Sequence, residues 1–189
     1  MMETVGLASR YLLSYPHELD GGRRQRIGIA RALMVNPRFI VCDEPVSALD
    51  VSIQAQILNL MMDLQEQRNL TYVFITHNLS VIKHISDEIM VMYMGCVVEK
   101  CKTKELFQNP LHPYTVGLLE AIPIPSIDAR KQRKLMEGEV SSPINPKPGC
   151  RFCDRCEFAT EECSSINPKL TEAETGHFVA CHHVERVAR

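Results

Sequence analysis

The sequence lacks the loop with which most nucleotide-hydrolysing proteins wrap a phosphate chain. None of its nine glycines is followed by lysine, so the pattern G-x-x-x-x-G-K-[ST] does not occur. A formal net charge of −2 gives no basic footprint for nucleic acid. No apolar run approaches the roughly 18–20 residues that cross a bilayer, and the N-terminus has no basic start before an apolar core. We therefore expect a cytosolic protein that binds no nucleic acid and reaches a membrane only through a partner.

The first quarter of the chain nevertheless contains features that proteins use to handle a phosphate group and its metal ion. The pair Gly21-Gly22 precedes an apolar, helix-like stretch, and backbone N–H groups at the start of a helix can point at an anion. The apolar segment Phe39–Cys42 is followed by two carboxylates, Asp43 and Glu44. Ligands of α/β proteins bind at the carboxyl ends of parallel strands. The sequence therefore predicts one part of a nucleotide-phosphate site.

Hydrophobic periodicity predicts an α/β fold with a parallel sheet. A helical pattern over residues 22–35 is followed by the strand Phe39–Cys42, and apolar positions then recur at helical spacing for about five turns after Asp50. Residues Thr71–Thr76 form a second apolar strand that ends at His77. Strand, helix and strand at this spacing make a βαβ unit. The two acids and His77 are therefore expected at neighbouring strand ends.

The remainder of the chain is expected to be less regular. Gly95 separates two strand-like runs, Glu88–Met94 and Cys96–Lys100, which predict a β-hairpin at the edge of the sheet. Seven of the eleven prolines fall between positions 110 and 148, which indicates a linker or a wrapping segment. We expect three parts: a partial nucleotide-binding domain (1–108), a Pro-rich segment (109–149) and a small irregular Cys-rich module (150–189). The basic run Arg130–Lys134 is expected to be solvated rather than to bind lipid or a partner.

Five of the eight cysteines lie in the last 40 residues, with the spacing Cys150-x2-Cys153-x2-Cys156-x6-Cys163-x17-Cys181. Such clustering without a signal peptide favours metal or cluster ligation over disulfides. A Cys-x2-Cys-x2-Cys run lets several thiolates converge on one inorganic centre, as in ferredoxins. Four thiolates also suit zinc, and reduced free thiols are a third alternative. The nearby histidines are expected to be solvated: His177, His182 and His183.

Taken in order, these motifs resemble the C-terminal part of an ATP-binding subunit of an ABC transporter. The family's Leu-Ser-Gly-Gly-Gln signature, Walker B strand, D-loop and switch histidine correspond to Leu19–Arg23, Phe39–Glu44, Ser47–Asp50 and His77. Three later stretches are similar to the C-terminal extension of oligopeptide/dipeptide importer ATPases: Asn109–Thr115, Glu139–Pro146 and Gly149–Cys181. The family's P-loop, glutamine loop and adenine-stacking aromatic residue have no counterpart in the chain.

The resemblance implies ATP and Mg²⁺ as cofactors and assigns a role to each site residue. Asp43 would hold Mg²⁺ directly or through water. Glu44 would act as general base on the attacking water, and His77 would contact the γ-phosphate. The signature and the D-loop would contact ATP held by a second subunit in a head-to-tail dimer, through Asp20, Gly21, Gly22, Arg23 and Asp50.

For the cysteine module, the resemblance implies a [4Fe–4S] cluster on Cys150, Cys156, Cys163 and Cys181. Cys153 is an extra thiol at a position that is usually not cysteine in the family, so a second ligand set stays open. Zinc is the alternative metal.

The signature departs from the family pattern at two positions. Asp20 stands where the family has a serine that donates to the γ-phosphate. At ~4 Å and an effective dielectric near 20, two unit charges of like sign repel by about 4 kcal/mol. Arg23, which replaces the usual glutamine, would offset part of this repulsion. Asp20 is also a favourable helix N-cap in any protein. We expect the composite ATP site that uses this signature to be degenerate.

The overall expectation is a truncated ATP-binding subunit of an importer, peripheral on the inner face of the cell membrane and inactive in ATP hydrolysis by itself. Its expected partners are a second ATP-binding subunit, transmembrane permease subunits and, indirectly, a solute-binding protein. The alternatives are a non-catalytic subunit that docks on the transporter and holds a metal centre, a split ATPase and the product of a disrupted gene. The sequence does not distinguish peptides from nickel or other small solutes.

Overall fold

The computed structural model describes residues 1–122, 142 and 144–187. The basic run Arg130–Lys134 and part of the stretch Glu139–Pro146 lie outside these residues. Within-chain contacts divide the protein into two compact units, Met1–Ile85 and Ser86–Arg189. Each unit is described by itself below. In the described ranges, no helix is both long and apolar enough to cross a bilayer.

The first unit is an α/β unit around a parallel pair of strands. After three short 3-10 turns, its elements are α1 (Gly21–Leu33), β1 (Phe39–Asp43), α2 (Val51–Arg68), β2 (Thr71–Ile75) and α3 (Leu79–Ile85). Strands β1 and β2 pair in parallel, from Phe39 opposite Thr71 to Asp43 opposite Ile75. The predicted βαβ unit and the α/β fold class are confirmed, and α1, β1 and β2 begin and end within two residues of their expected positions.

The two faces of the β1–β2 pair have different surroundings. Alternate residues of a strand point to opposite faces, and one face packs against two apolar clusters contributed mainly by α1, α2 and the 3-10 turns. The other face carries four exposed apolar side chains, Phe39, Val41, Val73 and Ile75, which are 54%, 57%, 44% and 48% exposed. Parallel strands are normally covered on both faces. This second face is therefore an apolar surface that no described residue covers. We call it the open face.

The second unit is built on an antiparallel sheet. Its elements are β3 (Glu88–Tyr93), β4 (Cys96–Lys102), α4 (Thr103–Gln108), α5 (Pro113–Glu120), α6 (Glu161–Ser165), β5 (Thr171–Glu174), β6 (His177–Val179) and α7 (Val184–Val187). The strand order is β3-β4-β6-β5. The predicted hairpin is present, but it does not lie at the edge of the parallel pair. It belongs to this second sheet instead.

The structure differs from two expectations about the C-terminal half. Helix α5 lies inside the segment expected to be a linker, because Pro113 occupies its first turn and the His112 side chain accepts the Tyr114 N–H at 3.1 Å. The Cys-rich module is not irregular, since it supplies two strands and two short helices. Strand β6 pairs with β4, so the module shares a sheet with the hairpin. The three-part domain division stays a prediction.

Candidate functional site

Glu44 and His77 meet at the carboxyl edge of the parallel pair. The Glu44 N–H donates to the carbonyl of Ile75 at 2.9 Å, which places Glu44 beside the end of β2. Its Oε1 lies 2.8 Å from Nδ1 of His77, and both side chains are exposed. The hydrogen bond from His77 holds the pKa of the Glu44 carboxyl below its ordinary value. Two residues 33 positions apart are thus joined into one polar pair with a charged carboxylate.

Asp43 is the last residue of β1, directly before this pair. Its side chain is exposed, and the alternation along β1 places it on the same face as Val41. The carboxylates of Asp43 and Glu44 are therefore adjacent in sequence at a strand end that is open to solvent. Carboxylate oxygens with free coordination positions are what Mg²⁺ prefers in a phosphate site, so this donor set fits the ion.

Asp20 caps helix α1 and pairs with Arg23. One carboxylate oxygen, Oδ1, accepts the Arg23 backbone N–H at 2.8 Å, and the other lies 2.7 Å from Nη1 of the same residue. The guanidinium carbon of Arg23 is 4.7 Å from the ring centroid of Tyr11, within range for a cation–π contact. The two departures from the family's signature are therefore in direct contact. Arg23 supplies a neutralising charge for Asp20.

The glycine pair allows α1 and α2 to begin close together. A Cβ atom on Gly22 would lie 2.7 Å from Cγ2 of Ile53, and one on Gly21 would lie 2.9 Å from Cδ2 of Leu49. Asp50 caps α2, because its Oδ1 accepts the Ile53 N–H at 3.0 Å. A hydrogen bond from the Ser52 hydroxyl, reinforced by the Ile53 N–H, lowers the pKa of the Asp50 carboxyl. The glycines and the D-loop aspartate thus have a packing role in addition to any contact with nucleotide.

The thiols of the Cys-rich module lie within electrostatic range of one another. Burial, with smaller contributions from the charges of Cys181, Cys150 and Cys163, raises the pKa of Cys156 to about 11. The pKa of Cys150 is likewise raised by burial first, then by Cys163, Cys181 and Cys153. Among the thiols, only Cys163 raises the pKa of Cys153. Cys153 raises the pKa of Cys150 in turn, and Cys163 is likewise the only thiol that raises the pKa of Cys181, so these shifts do not separate Cys153 from the other four cysteines.

The fit of this module to a metal is incomplete. In residues 1–122, 142 and 144–187, no three His, Cys, Asp or Glu side chains are placed to hold one metal ion. The iron–sulfur and zinc assignments are therefore unsupported by the arrangement. Two arginines beside the cysteines carry buried guanidinium nitrogens that have no hydrogen-bond partner in the described part of the chain. These nitrogens are Nε and Nη1 of Arg151 and Nε of Arg155. Such groups suit an anionic centre, which thiolates around a metal would form.

Three buried polar residues of the second unit were not identified from the sequence as important. Glu99, His112 and His177 are 0%, 1% and 2% exposed. The expectation that His177 is solvated is wrong, because its Nε2 lies 2.7 Å from Oε1 of Glu99. A glutamate in an apolar strand was the only signal available in the sequence, since its partners lie 12 to 78 positions away.

Comparison with known proteins shows two family matches. The family "ABC transporter" matches residues 1–47, and "Oligopeptide/dipeptide transporter, C-terminal region" matches residues 98–163. "Dipeptide transport ATP-binding protein DppF" of Haemophilus influenzae is 54% identical over 185 residues, which are 98% of this chain and 57% of that protein. "Oligopeptide transport ATP-binding protein OppF" of Salmonella typhimurium is 52% identical over 187 residues, which are 98% of this chain and 56% of that protein. The chain thus spans a little over half the length of these relatives.

A solved structure shows the same likeness in three dimensions. The ADP conformation of MJ1267, "an ATP-binding cassette of an ABC transporter", is 26% identical with a TM-score of 0.55. The similarity covers 64% of this chain and 47% of that one.

Proposed function

The chain belongs to the family of oligopeptide and dipeptide transport ATP-binding proteins, and from this we propose that it supplies the water-activating part of an importer's ATPase site. One observation carries the proposal: the Glu44–His77 pair at 2.8 Å, next to Asp43 at the carboxyl edge of the parallel strands. A carboxylate beside a histidine at a strand end has the geometry of a general base with an orienting partner.

The chemistry proposed for each residue combines the role that the family resemblance implies with the position of the residue. ATP with Mg²⁺ supplies the electrophilic γ-phosphorus when bound. Asp43 would hold the metal, directly or through a water molecule. Glu44 accepts a proton from the attacking water, and its bond to Nδ1 of His77 restricts the orientation of the carboxylate. His77 carries the link between that water and the γ-phosphate, so positioning and charge stabilisation provide the catalysis.

The proposed setting is a peripheral subunit at the inner face of the membrane. The subunit dimerises head to tail with a second ATP-binding subunit, so that residues Asp20–Arg23 and Asp50 face ATP held by the other copy. The dimer docks on permease subunits, and a solute-binding protein delivers the solute to them. The names of the relatives favour peptides as the solute.

The test is ATP turnover by the assembled transporter with Glu44→Gln. We expect turnover to fall by at least about 100-fold, the usual contribution of a general base, while ATP binding is retained. Glu66→Gln, which changes an exposed glutamate on α2, is the matched control and should leave turnover unchanged. Equal turnover in the wild type and in Glu44→Gln would remove Glu44 from the mechanism.

As a second candidate, we propose that the chain is a split or non-catalytic subunit. The open face supports this candidate. Phe39, Val41, Val73 and Ile75 present an apolar surface beside Asp43, suited to cover by a polypeptide that carries the phosphate-binding loop. Hydrogen exchange of β1 and β2, measured with and without a co-expressed chain that bears such a loop, tests this candidate. Protection of these strands, with ATP turnover restored, supports a split ATPase. Protection without turnover supports a docking role, and no protection contradicts both.

We also propose that the Cys-rich module holds a metal centre through Cys150, Cys156, Cys163 and Cys181. This set is the one that the family resemblance implies, and the electrostatic influence of the thiols on one another supports a shared centre without separating Cys153 from it. Anaerobic purification followed by a visible spectrum and iron and zinc assays tests the proposal. Iron with sulfide indicates the cluster, zinc in a colourless protein indicates the alternative, and a protein free of both contradicts the metal centre. Cys153→Ser should leave the metal content unchanged.

A further inference from the structure

Tyr11 lies in the second of the three short 3-10 turns that precede α1. This turn spans Ser9–Leu13. The backbone of Tyr11 is held on both sides, because its N–H donates to the carbonyl of Ala8 at 3.1 Å and its carbonyl accepts the N–H of Ser14 at 3.2 Å. The side chain is half-buried. The turn therefore holds an aromatic ring in a defined position.

Two guanidinium groups contact this ring. The guanidinium carbon of Arg23 in α1 lies 4.7 Å from the ring centroid, and that of Arg10 lies 5.0 Å from it. Both distances are within the range of a cation–π contact. In addition, Nη2 of Arg10 donates to the Tyr11 hydroxyl at 3.1 Å. The hydroxyl therefore serves Arg10, whereas the contact with Arg23 is made by the ring itself.

Arg23 connects the ring to Asp20. Its Nη1 lies 2.7 Å from Oδ2 of Asp20, and both side chains are partly exposed. An ion pair in such a position usually contributes little, because two mobile side chains must be held in one geometry. The Tyr11 ring restricts the positions that are open to the guanidinium and so reduces that cost. A guanidinium carries five N–H donors in a planar fork, so Arg23 can bind Asp20 and a phosphate oxygen at the same time.

We propose that Tyr11 is a positioning residue of the altered signature Leu19–Arg23. It holds the Arg23 guanidinium beside Asp20, where the cation neutralises the carboxylate and presents further N–H donors to a phosphate group. The ligand is the phosphate chain of ATP held by the second subunit, and in that respect the inference rests on the proposed function. Because Tyr11 acts through a phosphate-binding group rather than through the general base Glu44, we expect it to govern the KM for ATP rather than kcat.

The test compares three variants of the full chain, each made in the wild type and in an Arg23→Gln background. Tyr11→Leu removes the ring. Tyr11→Phe keeps the ring and removes the hydroxyl that binds Arg10. Tyr15→Leu is the matched control, because Tyr15 lies nearby in the chain, is 66% exposed and stacks on the ring of His17 with 5.6 Å between centroids.

The first measurement is the KM for ATP and the kcat of the assembled transporter. We expect Tyr11→Leu to raise the KM by about two- to fivefold, the equivalent of one exposed cation–π contact, with little change of kcat. Tyr11→Phe and Tyr15→Leu should keep the wild-type KM. In the Arg23→Gln background Tyr11→Leu should have no further effect, because the group that it positions is already gone. A purely structural role of Tyr11 would instead raise the KM by the same factor in both backgrounds, and that result would overturn the proposal.

The second measurement is the NMR resonance of the Arg23 Nε–H in the full chain, which needs no ATP. A proton close to an aromatic ring is displaced by the ring current, so this resonance should move in Tyr11→Leu and stay in Tyr11→Phe and Tyr15→Leu. An unmoved resonance in Tyr11→Leu, or an unchanged KM, would overturn the positioning role. Failure of the proposed function has a different signature, since turnover would then be equal in the wild type and in Glu44→Gln whatever the Tyr11 variants do.

Discussion

Asp20 combines two stabilising contacts that substitution can separate. It caps α1 through the 2.8 Å bond from the Arg23 N–H, and it pairs with the Arg23 guanidinium at 2.7 Å. Loss of an N-cap acceptor costs about 0.5–2 kcal/mol. The ion pair, with side chains 58% and 41% exposed, contributes only about 0.2–1 kcal/mol because solvent screens it. Asp20→Ala removes both contacts, whereas Asp20→Ser keeps a capping oxygen.

We therefore expect Asp20→Ala to lower the free energy of unfolding of the first unit by about 1–2 kcal/mol, and Asp20→Ser by less than about 1 kcal/mol. The assay is urea unfolding followed by circular dichroism, with hydrogen exchange of the amides of residues 22–24 as a local readout. Arg23→Gln removes the ion pair together with the cation–π contact to Tyr11, so it should be at least as destabilising as Asp20→Ser. If Asp20→Ser were as destabilising as Asp20→Ala, the capping bond would not be the main contribution.

Substitutions of Asp20 and of Arg23 should also change the ATP turnover of the assembled transporter, in opposite directions. A lone carboxylate ~4 Å from a γ-phosphate would cost about 4 kcal/mol at an effective dielectric near 20, and Arg23 neutralises part of that charge. Asp20→Ser should therefore raise turnover at the composite site, whereas Arg23→Gln alone should lower it. The double variant should be at least as active as the wild type. Unchanged turnover in both single variants would refute the electrostatic reasoning.

Three further predictions concern the first unit. Gly22→Ala should lower the free energy of unfolding by about 1–3 kcal/mol through the clash with Ile53. Gly28→Ala, whose Cβ would meet nothing within 4 Å, should instead raise it by a few tenths to about 1 kcal/mol. Thermal unfolding of both variants checks this pair, and the double variant Gly22→Ala/Ile53→Ala should rescue the first. The lowered pKa of Glu44 means that its bond to His77 is fully formed above the ordinary glutamate range near 4.3 and is lost as the pH falls through the lower folded-state value. A carboxyl NMR titration should show that depression become smaller in His77→Ala, because His77 is its largest cause, and an unchanged midpoint would contradict this. Finally, the 189-residue polypeptide alone should not hydrolyse millimolar ATP, and turnover abolished by Glu44→Gln would disprove this.

Local patterns predicted the first unit well because its contacts are short in sequence. Helical and strand periodicity located α1, β1, α2 and β2, since each buries one face of regular geometry. The rule that parallel strands bring their carboxyl ends together then placed Glu44 near His77. The N-cap property of Asp20 also follows from residue type and position alone.

The second unit was harder to predict because its stability depends on distant partners. Strand β6 has only three residues, and β5 is exposed along its whole length, so neither shows the apolar alternation of a strand. Strand β6 is defined by its pairing with β4, about 80 positions earlier in the chain, and β5 is defined by its pairing with β6. Periodicity cannot report such a pairing.

The sequence by itself determined the chemistry available to this protein: the acids after β1, the histidine after β2, the altered signature and the five clustered thiols. These depend on residue type and on spacing within single elements. Only the tertiary structure decided which groups meet. It joined Glu44 to His77, left one face of the parallel pair open, and buried Glu99 against His177. The physical reason is that hydrogen bonding and burial act on distance in space, and the chain separates the members of most of these contacts by tens of residues.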